Sequence, residues 1–423
     1  MSYLENLVLI AATHRWLNTD ELSKLYTDIE DTYRKILQKF NIDELFILQT
    51  CHRVEYYTYS RDNIDYTYKD IICEVYRNEE YLKYFKIFKG LEVVEHILKV
   101  AAGLDSAIIG ECDVLGQLEK AYDYALRNRY IRDILKLIIE RSIRFGKYVR
   151  TVTGISRGIH GFGSLIVQLL KRLYEDLENT KILIVGAGDL GSTIAKELYD
   201  KNSRNVVILN RTIDKARQIA EKLGYKYDKL DIDTLIRYME NSDVTILAIS
   251  SEKPIITKEI IKKLRKKPLI IDLGVPRLVE KDIEAPVIYF EDLIKLAEKY
   301  NRDKLEEVKK VEEMLKQELK NISIEIEKKE LKKLVGKYVE FAYNIARKEL
   351  EKAVKEGLVE DRQIEKLDIV IRSITSKIVR PIIKTLEENI QQDTQKIKQI
   401  LIEIIQNIEK EFTKEKTYKT VKT

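Results

Sequence analysis

The chain has 423 residues, is 44% hydrophobic and 34% charged, and carries a formal net charge of +5 from 75 basic and 70 acidic side chains. That length exceeds one ordinary core and calls for two or three domains. No apolar run reaches the roughly eighteen residues a transmembrane helix needs, and three widely spaced cysteines exclude a disulfide framework or a C-x-x-C metal pair. A reducing cytoplasm is the expected compartment. The weak positive charge admits an RNA partner without requiring one. Abundant Lys, Glu and Ile with few Met and Cys fit a thermophile.

"MSYLENLVLIAATHRW" lacks a basic stretch and a small-residue cleavage site, so it is expected to open a first strand and not a signal peptide. Strand-like "NLVLIAATH" is followed by a single amphipathic helix in "DELSKLYTDIEDTYRKILQKF". "ELFILQT" and "EYYTYS" read as strands, and "YTYKDIICEVYR" as a helix. From Tyr81 to Arg150 the pattern is helical, punctuated by Gly90, Gly103, Gly110 and Gly116.

A new unit starts near "GISRGIHGFGSLIVQLLKRL". The strands "KILIVG", "NVVILNR", "SDVTILAIS" and "PLIIDLG" then alternate with helices, the signature of a parallel sheet covered on both faces. From Phe290 the chain is helical and charged, with no proline between Pro286 and Pro381. The tail "KEFTKEKTYKTVKT" is polar and expected to fray. The expected fold class is multidomain α/β plus α. It has an α+β catalytic domain at 1–155, a Rossmann-like domain at 156–290 and a helical dimerisation domain at 291–423.

"ILIVGAGDLGSTIAKEL" sets Gly186, Gly188 and Gly191 as G-x-G-x-x-G between a strand and a helix, with Ala187, Asp189 and Leu190 between them. The first glycine permits the tight turn, the second lets the backbone approach a pyrophosphate, and the third lets helix and strand pack closely. The helix N-terminus favours the negative charge. The next strand ends in Asn210, Arg211 and Thr212, where an NAD enzyme would place an acidic residue. A guanidinium with nearby donors suits a 2′-phosphate, so NADPH is the expected cofactor.

"LQTCHRVEYYTYS" puts Cys51 at a strand end beside His52, Arg53 and Glu55. A packing residue, a metal ligand and a nucleophile all remain open, and His52 and Arg53 would favour the thiolate. Cys73, in "KDIICEVY", reads as a packing residue, and Cys112 as a tolerated loop residue. A cysteine domain joined to an NADP domain suits reductive acyl transfer. The thiolate forms a thioester, and hydride releases an aldehyde.

Taken together, these residues resemble the glutamyl-tRNA reductases. "TCHRVEYY" is similar to that family's T-C-N-R-x-E motif, and "GLDSAIIGECDVLGQLEKAY" to its G-L-x-S-x-x-x-G-E-x-x-I-L-x-Q-V-K segment. "GISRG", "VGAGDLG", "LNRT" and "IDLGVPR" follow in the family's order. The resemblance covers about the first 290 residues in detail, and the helical C-terminus matches in length and character.

The resemblance implies that Cys51 takes the glutamyl group of glutamyl-tRNA(Glu) as a thioester, and that NADPH reduces it to glutamate-1-semialdehyde. Thr50 and Arg53 would hold the glutamate, Arg53 by its α-carboxylate, with Ser106 and Gln117 completing the pocket and the backbone around Glu111, Cys112 and Asp113 lining it. His96 would occupy the position of a histidine important for activity. A homodimer through the C-terminal helices is implied, as is an aminomutase partner for the aldehyde.

Two positions depart from the pattern. His52 replaces the family's asparagine, and "IHGFG" places His160 and Gly161 where small residues and a serine are usual. His160 is expected to pack near the domain junction. The basic residues of "IRDILKLIIERSIRFGKYVR" are candidates for tRNA phosphates. Two rival readings are a shikimate-type dehydrogenase, which would need no cysteine, and an RNA-binding scaffold that kept the dinucleotide fold.

Overall fold

The computed structural model describes residues 4–50, 52–61, 67–251 and 253–378, together with 380, 381, 384 and 403. The chain divides into two compact units, Asn6–Leu319 and a second made of Met1–Glu5 with Lys320–Thr423.

The first unit begins with an antiparallel sheet ordered β2-β3-β1-β4. Its strands are β1 (Leu7–Thr13), β2 (Glu44–Thr50), β3 (Arg53–Tyr59) and β4 (Lys86–Lys89). β3 is buried along its whole length because it pairs on both sides, with β1 and β2. The segment between β1 and β2 forms two helices, α1 (Thr19–Ser23) and α2 (Ile29–Lys39), where one was expected. Asn18 and Asp28 each accept a backbone N–H as N-caps, and the second cap restarts the chain within what periodicity alone reads as one helix. α3 (Tyr68–Tyr76), α4 (Leu91–Ala102), α5 (Asp113–Arg127) and α6 (Ile134–Val152) complete this domain.

α7 (Phe162–Leu173) leads into a six-stranded parallel sheet ordered β10-β9-β8-β5-β6-β7. The strands are β5 (Ile182–Val185), β6 (Val206–Asn210), β7 (Lys226–Lys229), β8 (Val244–Leu247), β9 (Leu269–Asp272) and β10 (Val287–Tyr289). The central strands β5 and β8 are apolar and wholly buried, as strands covered on both faces must be. Short β4, β7 and β10 were not expected from the sequence. α8 (Asp189–Asp200), α9 (Ile213–Leu223), α10 (Ile232–Glu240) and α11 (Lys258–Lys263) connect these strands. α12 (Phe290–Asn301) packs Phe290, Leu293 and Ala297 into the same core as Phe162 and the loop residues Ala107 and Ile108.

α13 (Leu305–Lys355) is continuous for 51 residues. In the second unit, residues 364–378 are helical. Arg372 Nη2 donates to the Tyr343 hydroxyl at 2.8 Å, and Arg372 Nε to Asp368 Oδ2 at 3.0 Å. Val370, Ile374 and Ile378, spaced four residues apart on one helix face, are all exposed.

Candidate active site

The β2–β3 turn builds the catalytic-domain side of the site. Thr50 pairs with Arg53 across the hairpin, and Thr50 Oγ1 accepts from the His52 backbone N–H at 3.1 Å. Cys51, the residue on which the thioester expectation turns, lies outside the described residues.

Arg53 and Glu55 share one face of β3 because strand side chains alternate. Their side chains are 1% and 0% exposed, and Arg53 Nη1 donates to Glu55 Oε1 at 2.8 Å. Arg53 also donates to Asp105 Oδ2 at 3.1 Å and, through Nη2, to the Asp105 carbonyl at 2.6 Å. Tyr57 Oη donates to Glu55 Oε2 at 2.7 Å, and His96 Nε2 lies 2.7 Å from Glu55 Oε1. Burial alone would raise Glu55, but Arg53 and then His96 overcome it and hold the carboxyl at about 2. Burial alone would lower Arg53, and Glu55 and Asp105 raise it instead.

His52 is buried. Its ring lies 5.4 Å from His14, 5.4 Å from Phe162 and 5.2 Å from Phe290, centroid to centroid. Burial, with His14 and Arg53 adding to it, lowers His52 to about 3, so this histidine is neutral at physiological pH. The imidazole that replaces an asparagine thus fills an aromatic box made with two residues of the nucleotide domain.

The loop between α4 and α5 closes the site from the other side. Half-buried Arg150 and buried Lys304 each hold one of its carbonyls and tie it to neighbouring segments. Arg150 donates to Ala101 O at 2.6 Å and Glu111 O at 2.6 Å. Lys304 donates to Ile109 O at 2.7 Å, Ile155 O at 2.9 Å and Ile159 O at 2.7 Å, while Asn301 brackets the loop through Ala107 O and Ile109 N. Burial lowers Lys304 to about 8. Ser106 and Glu111 are buried on this loop. Burial pushes Glu111 up to about 7 against the pull of the Ser106 hydroxyl.

The nucleotide loop follows its motif. Gly186 has φ +125°, and a Cβ there would sit 2.2 Å from Ala248 O. A Cβ at Gly191 would sit 2.2 Å from Gly186 O. Gly188 is different, because its φ of −80° suits any residue and a Cβ would meet no protein atom within 4 Å. The fold itself does not require glycine there, whereas a pyrophosphate lying against the backbone does, so these residues fit a dinucleotide. Asn210 Oδ1 accepts from Ala187 N at 3.2 Å, and its Nδ2 donates to Thr212 O at 2.9 Å. Asn210 thereby ties the loop to β6, and Arg211 and Thr212 stand exposed beyond it.

Asp272, at the end of β9, accepts from the backbone of Gly274, Leu278 and Val279 at 2.9–3.0 Å and shapes the "IDLGVPR" loop. Leu273 of that loop reaches the cavity.

One cavity of about 400 Å³ joins the two sides. Thr50, His52, Arg53, Glu111, Cys112, Asp113 and Gln117 line it from the catalytic domain. Asp189, Leu190, Ser192 and Thr193, from the loop and helix that follow Gly188, line it from the other side, with Phe162 and Phe290 between. Lys120 Nζ meets Asp189 Oδ2 at 2.6 Å across its mouth. His96 and Ser106 are not among the lining residues. His96 stands against Glu55 and stacks on Phe88, and Ser106 stands beside Glu111.

His160 sits at the domain junction, with Nε2 3.1 Å from Glu197 Oε1. Cys73 is half-buried on α3. Among the phosphate candidates, Arg150 is turned onto the Ala101, Gly146 and Glu111 carbonyls and Arg141 Nε binds Glu318 at 2.8 Å, so neither faces outward freely. Arg144 and Lys147 are exposed.

Sequence reasoning assigned no role to Glu55, Asp105, Phe162, Phe290 or Lys304. Glu55 was legible through the period-two spacing of Arg53, Glu55 and Tyr57. The others come from distant segments, and no local pattern marks them.

An antiparallel α+β domain facing a G-x-G-x-x-G parallel sheet across a shared cavity defines a dinucleotide-dependent oxidoreductase with a separate substrate domain. The N-terminal domain model of glutamyl-tRNA(Glu) reductase matches residues 10–153, the shikimate/quinate 5-dehydrogenase model 168–308, and the glutamyl-tRNA(Glu) reductase dimerisation model 310–410. The glutamyl-tRNA reductase of Pyrobaculum islandicum is 36% identical, with 82% of this chain and 86% of the relative aligned. That of Methanopyrus kandleri is 33% identical, with 83% and 87% aligned. The solved structure titled glutamyl-tRNA reductase from M. kandleri covers 92% of this chain and 100% of its own at 30% identity, with a TM-score of 0.53. The chain belongs to the glutamyl-tRNA reductase family.

No helix among the described residues is long and apolar enough to cross a membrane.

Proposed function

We propose that this protein reduces glutamyl-tRNA(Glu) with NADPH to glutamate-1-semialdehyde and releases the tRNA, through a thioester on Cys51. This is the first step of tetrapyrrole synthesis by the five-carbon route. One observation carries the reading: Thr50 and His52, the chain neighbours of Cys51, share a cavity with Asp189 and Leu190 of the nucleotide loop. An acyl group and a hydride donor can meet there without either leaving its domain.

In this reading the Cys51 sulfur bonds to the acyl carbon and the ester bond to the tRNA ribose breaks. NADPH, when bound, supplies the hydride that ends on that carbon. Arg53 has five N–H donors, of which three go to Glu55 and Asp105. One Nη2 hydrogen remains for the substrate α-carboxylate, while Nε–H is buried. Thr50 and Gln117 hold the rest of the glutamyl group from the cavity wall. His96 acts through Glu55 as a positioning residue, keeping the carboxylate aimed at Arg53. Gly186–Gly191, tied to β6 by Asn210, would hold the pyrophosphate, and Arg211 with Thr212 would hold the 2′-phosphate.

The domain limits we propose are 1–155, 156–290 and 291–423. The last forms a homodimer through its helices, in keeping with the exposed stripe of Val370, Ile374 and Ile378. Lys136 and Arg144 are the remaining phosphate candidates on α6, with Lys147 paired to Glu119. The setting is cytoplasmic, and an aminomutase that consumes the aldehyde is the expected partner. The test is NADPH oxidation with glutamyl-tRNA set against free glutamate and uncharged tRNA. Oxidation is expected only with the charged tRNA, and activity on free glutamate contradicts the reading.

A further inference from the structure

We infer that Glu111 is the general acid of the acylation half-reaction, donating its carboxyl proton to the ribose oxygen as the tRNA leaves. The inference rests on the thioester reading above.

The chemistry requires such a group. When the sulfur bonds to the acyl carbon, the ester C–O bond breaks and its electron pair stays on the ribose oxygen. A ribose alkoxide is far more basic than a thiolate, so it leaves well only if it is protonated as it departs. The proton passes from the Glu111 carboxyl to that oxygen, and the carboxylate regains one from solvent. This is the single proton that an ester plus NADPH consumes in becoming an aldehyde, an alcohol and NADP⁺, and Cys51 returns as thiolate when the C–S bond breaks.

Glu111 is the one buried carboxyl among the cavity's lining residues, Asp113 being half-buried and Asp189 exposed. His52 lines the wall, but its Nε2 is buried without a hydrogen-bond partner, and burial holds the ring neutral. Arg53 is committed to Glu55 and Asp105, and Lys120 to Asp189. Glu111 is 5% exposed, lines the cavity, and is in no salt bridge with a cation among the described residues.

The charged groups around it come from three elements: Arg53 on β3, Arg150 on α6, and Asp113 at the start of α5. The two arginines are tied elsewhere, Arg150 to the carbonyls of Ala101, Gly146 and Glu111, so they do not offset the burial. The carboxyl is raised to about 7, above its usual 4.5, and a proton is present on it near neutrality. The same loop is pinned by Lys304 at Ile109 O and by Asn301 at Ala107 O, which fixes the backbone that carries Glu111.

The experiment follows tRNA release and acyl-enzyme formation by the full chain without NADPH. It uses glutamyl-tRNA in one arm and a p-nitrophenyl ester of glutamate in the other. The aryl oxide leaves without protonation, so it reports attack alone. Glu111→Gln should lose about 100-fold or more on glutamyl-tRNA and change by less than about threefold on the aryl ester. In the wild type, the ratio of the tRNA rate to the aryl-ester rate cancels the thiolate's own titration. That ratio should fall about tenfold per pH unit above about 7. Equal retention of both activities in Glu111→Gln overturns the inference. If Glu111→Gln loses both, the wild-type ratio decides, and a flat ratio from pH 6 to about 9 overturns it. Failure of the wild type to acylate from glutamyl-tRNA overturns the thioester reading itself, which separates the two.

Discussion

Arg53 and Glu55 lie two residues apart on one face of β3, fully buried, with Nη1 2.8 Å from Oε1. Each holds the other's charge in a place neither would occupy alone. The Asp105 carbonyl and carboxylate, the Tyr57 hydroxyl and His96 complete the set. A buried pair of this kind adds little against an apolar replacement, but breaking it strands a charge. Glu55→Ala should therefore cost about 3–5 kcal/mol, read as a lower urea midpoint with an unchanged slope. An unchanged midpoint would mean that the network does not hold Arg53.

The three loop glycines separate fold from binding. Gly188→Ala should leave the melting temperature unchanged, because its Cβ meets no protein atom within 4 Å. NADPH binding should weaken by about tenfold or more, as the methyl stands where the pyrophosphate approaches. Gly191→Ala should lower both, because its Cβ would sit 2.2 Å from Gly186 O. Fluorescence titration beside thermal unfolding reads the two effects. Tight NADPH binding by Gly188→Ala would place the cofactor elsewhere.

Acid should unfold this protein partly through His14 and His52. Burial, aided by Arg53, lowers His14 to about 4, and burial with His14 and Arg53 lowers His52 to about 3, against 6.5 when unfolded. A base with a lowered folded pKa stabilises above its unfolded pKa, and that stability is lost as pH falls below 6.5. The loss is about 1.4 kcal/mol per pH unit for each histidine. Glu111, raised to about 7, works in the opposite direction over pH 7 to 4.5. Comparing wild type with His52→Asn by urea denaturation at pH 6.5 and 5 isolates one histidine, and the variant should show the shallower loss. Parallel losses would show that His52 is not buried neutral.

The strand–helix alternation, the glycine loop and the β2–β3 turn were legible because each is a local pattern of period, turn residue or spacing. The split between α1 and α2 was not, because the Asp28 cap interrupts a hydrophobic period that continues through it. β4, β7 and β10 are three or four residues long and partly exposed, too short for alternation to register. The cavity's aromatic wall is a tertiary fact. Phe162 and Phe290 stand 128 residues apart in the chain, with ring centroids 4.6 Å apart. Arg150 looked like a surface cation on a basic helix, and only the packed α4–α5 loop shows what its guanidinium does.

The exposed stripe on the C-terminal helices gives a test of assembly. Ile374 and Ile378 are 51% and 62% exposed, one turn apart. Ile374→Asp with Ile378→Asp should shift sedimentation from dimer toward monomer at micromolar concentration, since a charge in a buried interface costs several kcal/mol. A dimer that persists in the double variant would place the interface on another face.

The central claim is that Cys51 carries the glutamyl group in a cavity shared with the nucleotide loop. The most direct measurement incubates the protein with radiolabelled glutamyl-tRNA in the absence of NADPH, traps the label on protein in acid, and then adds NADPH. The label should be bound to the protein, sensitive to hydroxylamine, absent in Cys51→Ala, and released as aldehyde when NADPH is added. Aldehyde formation by Cys51→Ala from glutamyl-tRNA, or label that never joins the wild-type protein, would contradict it.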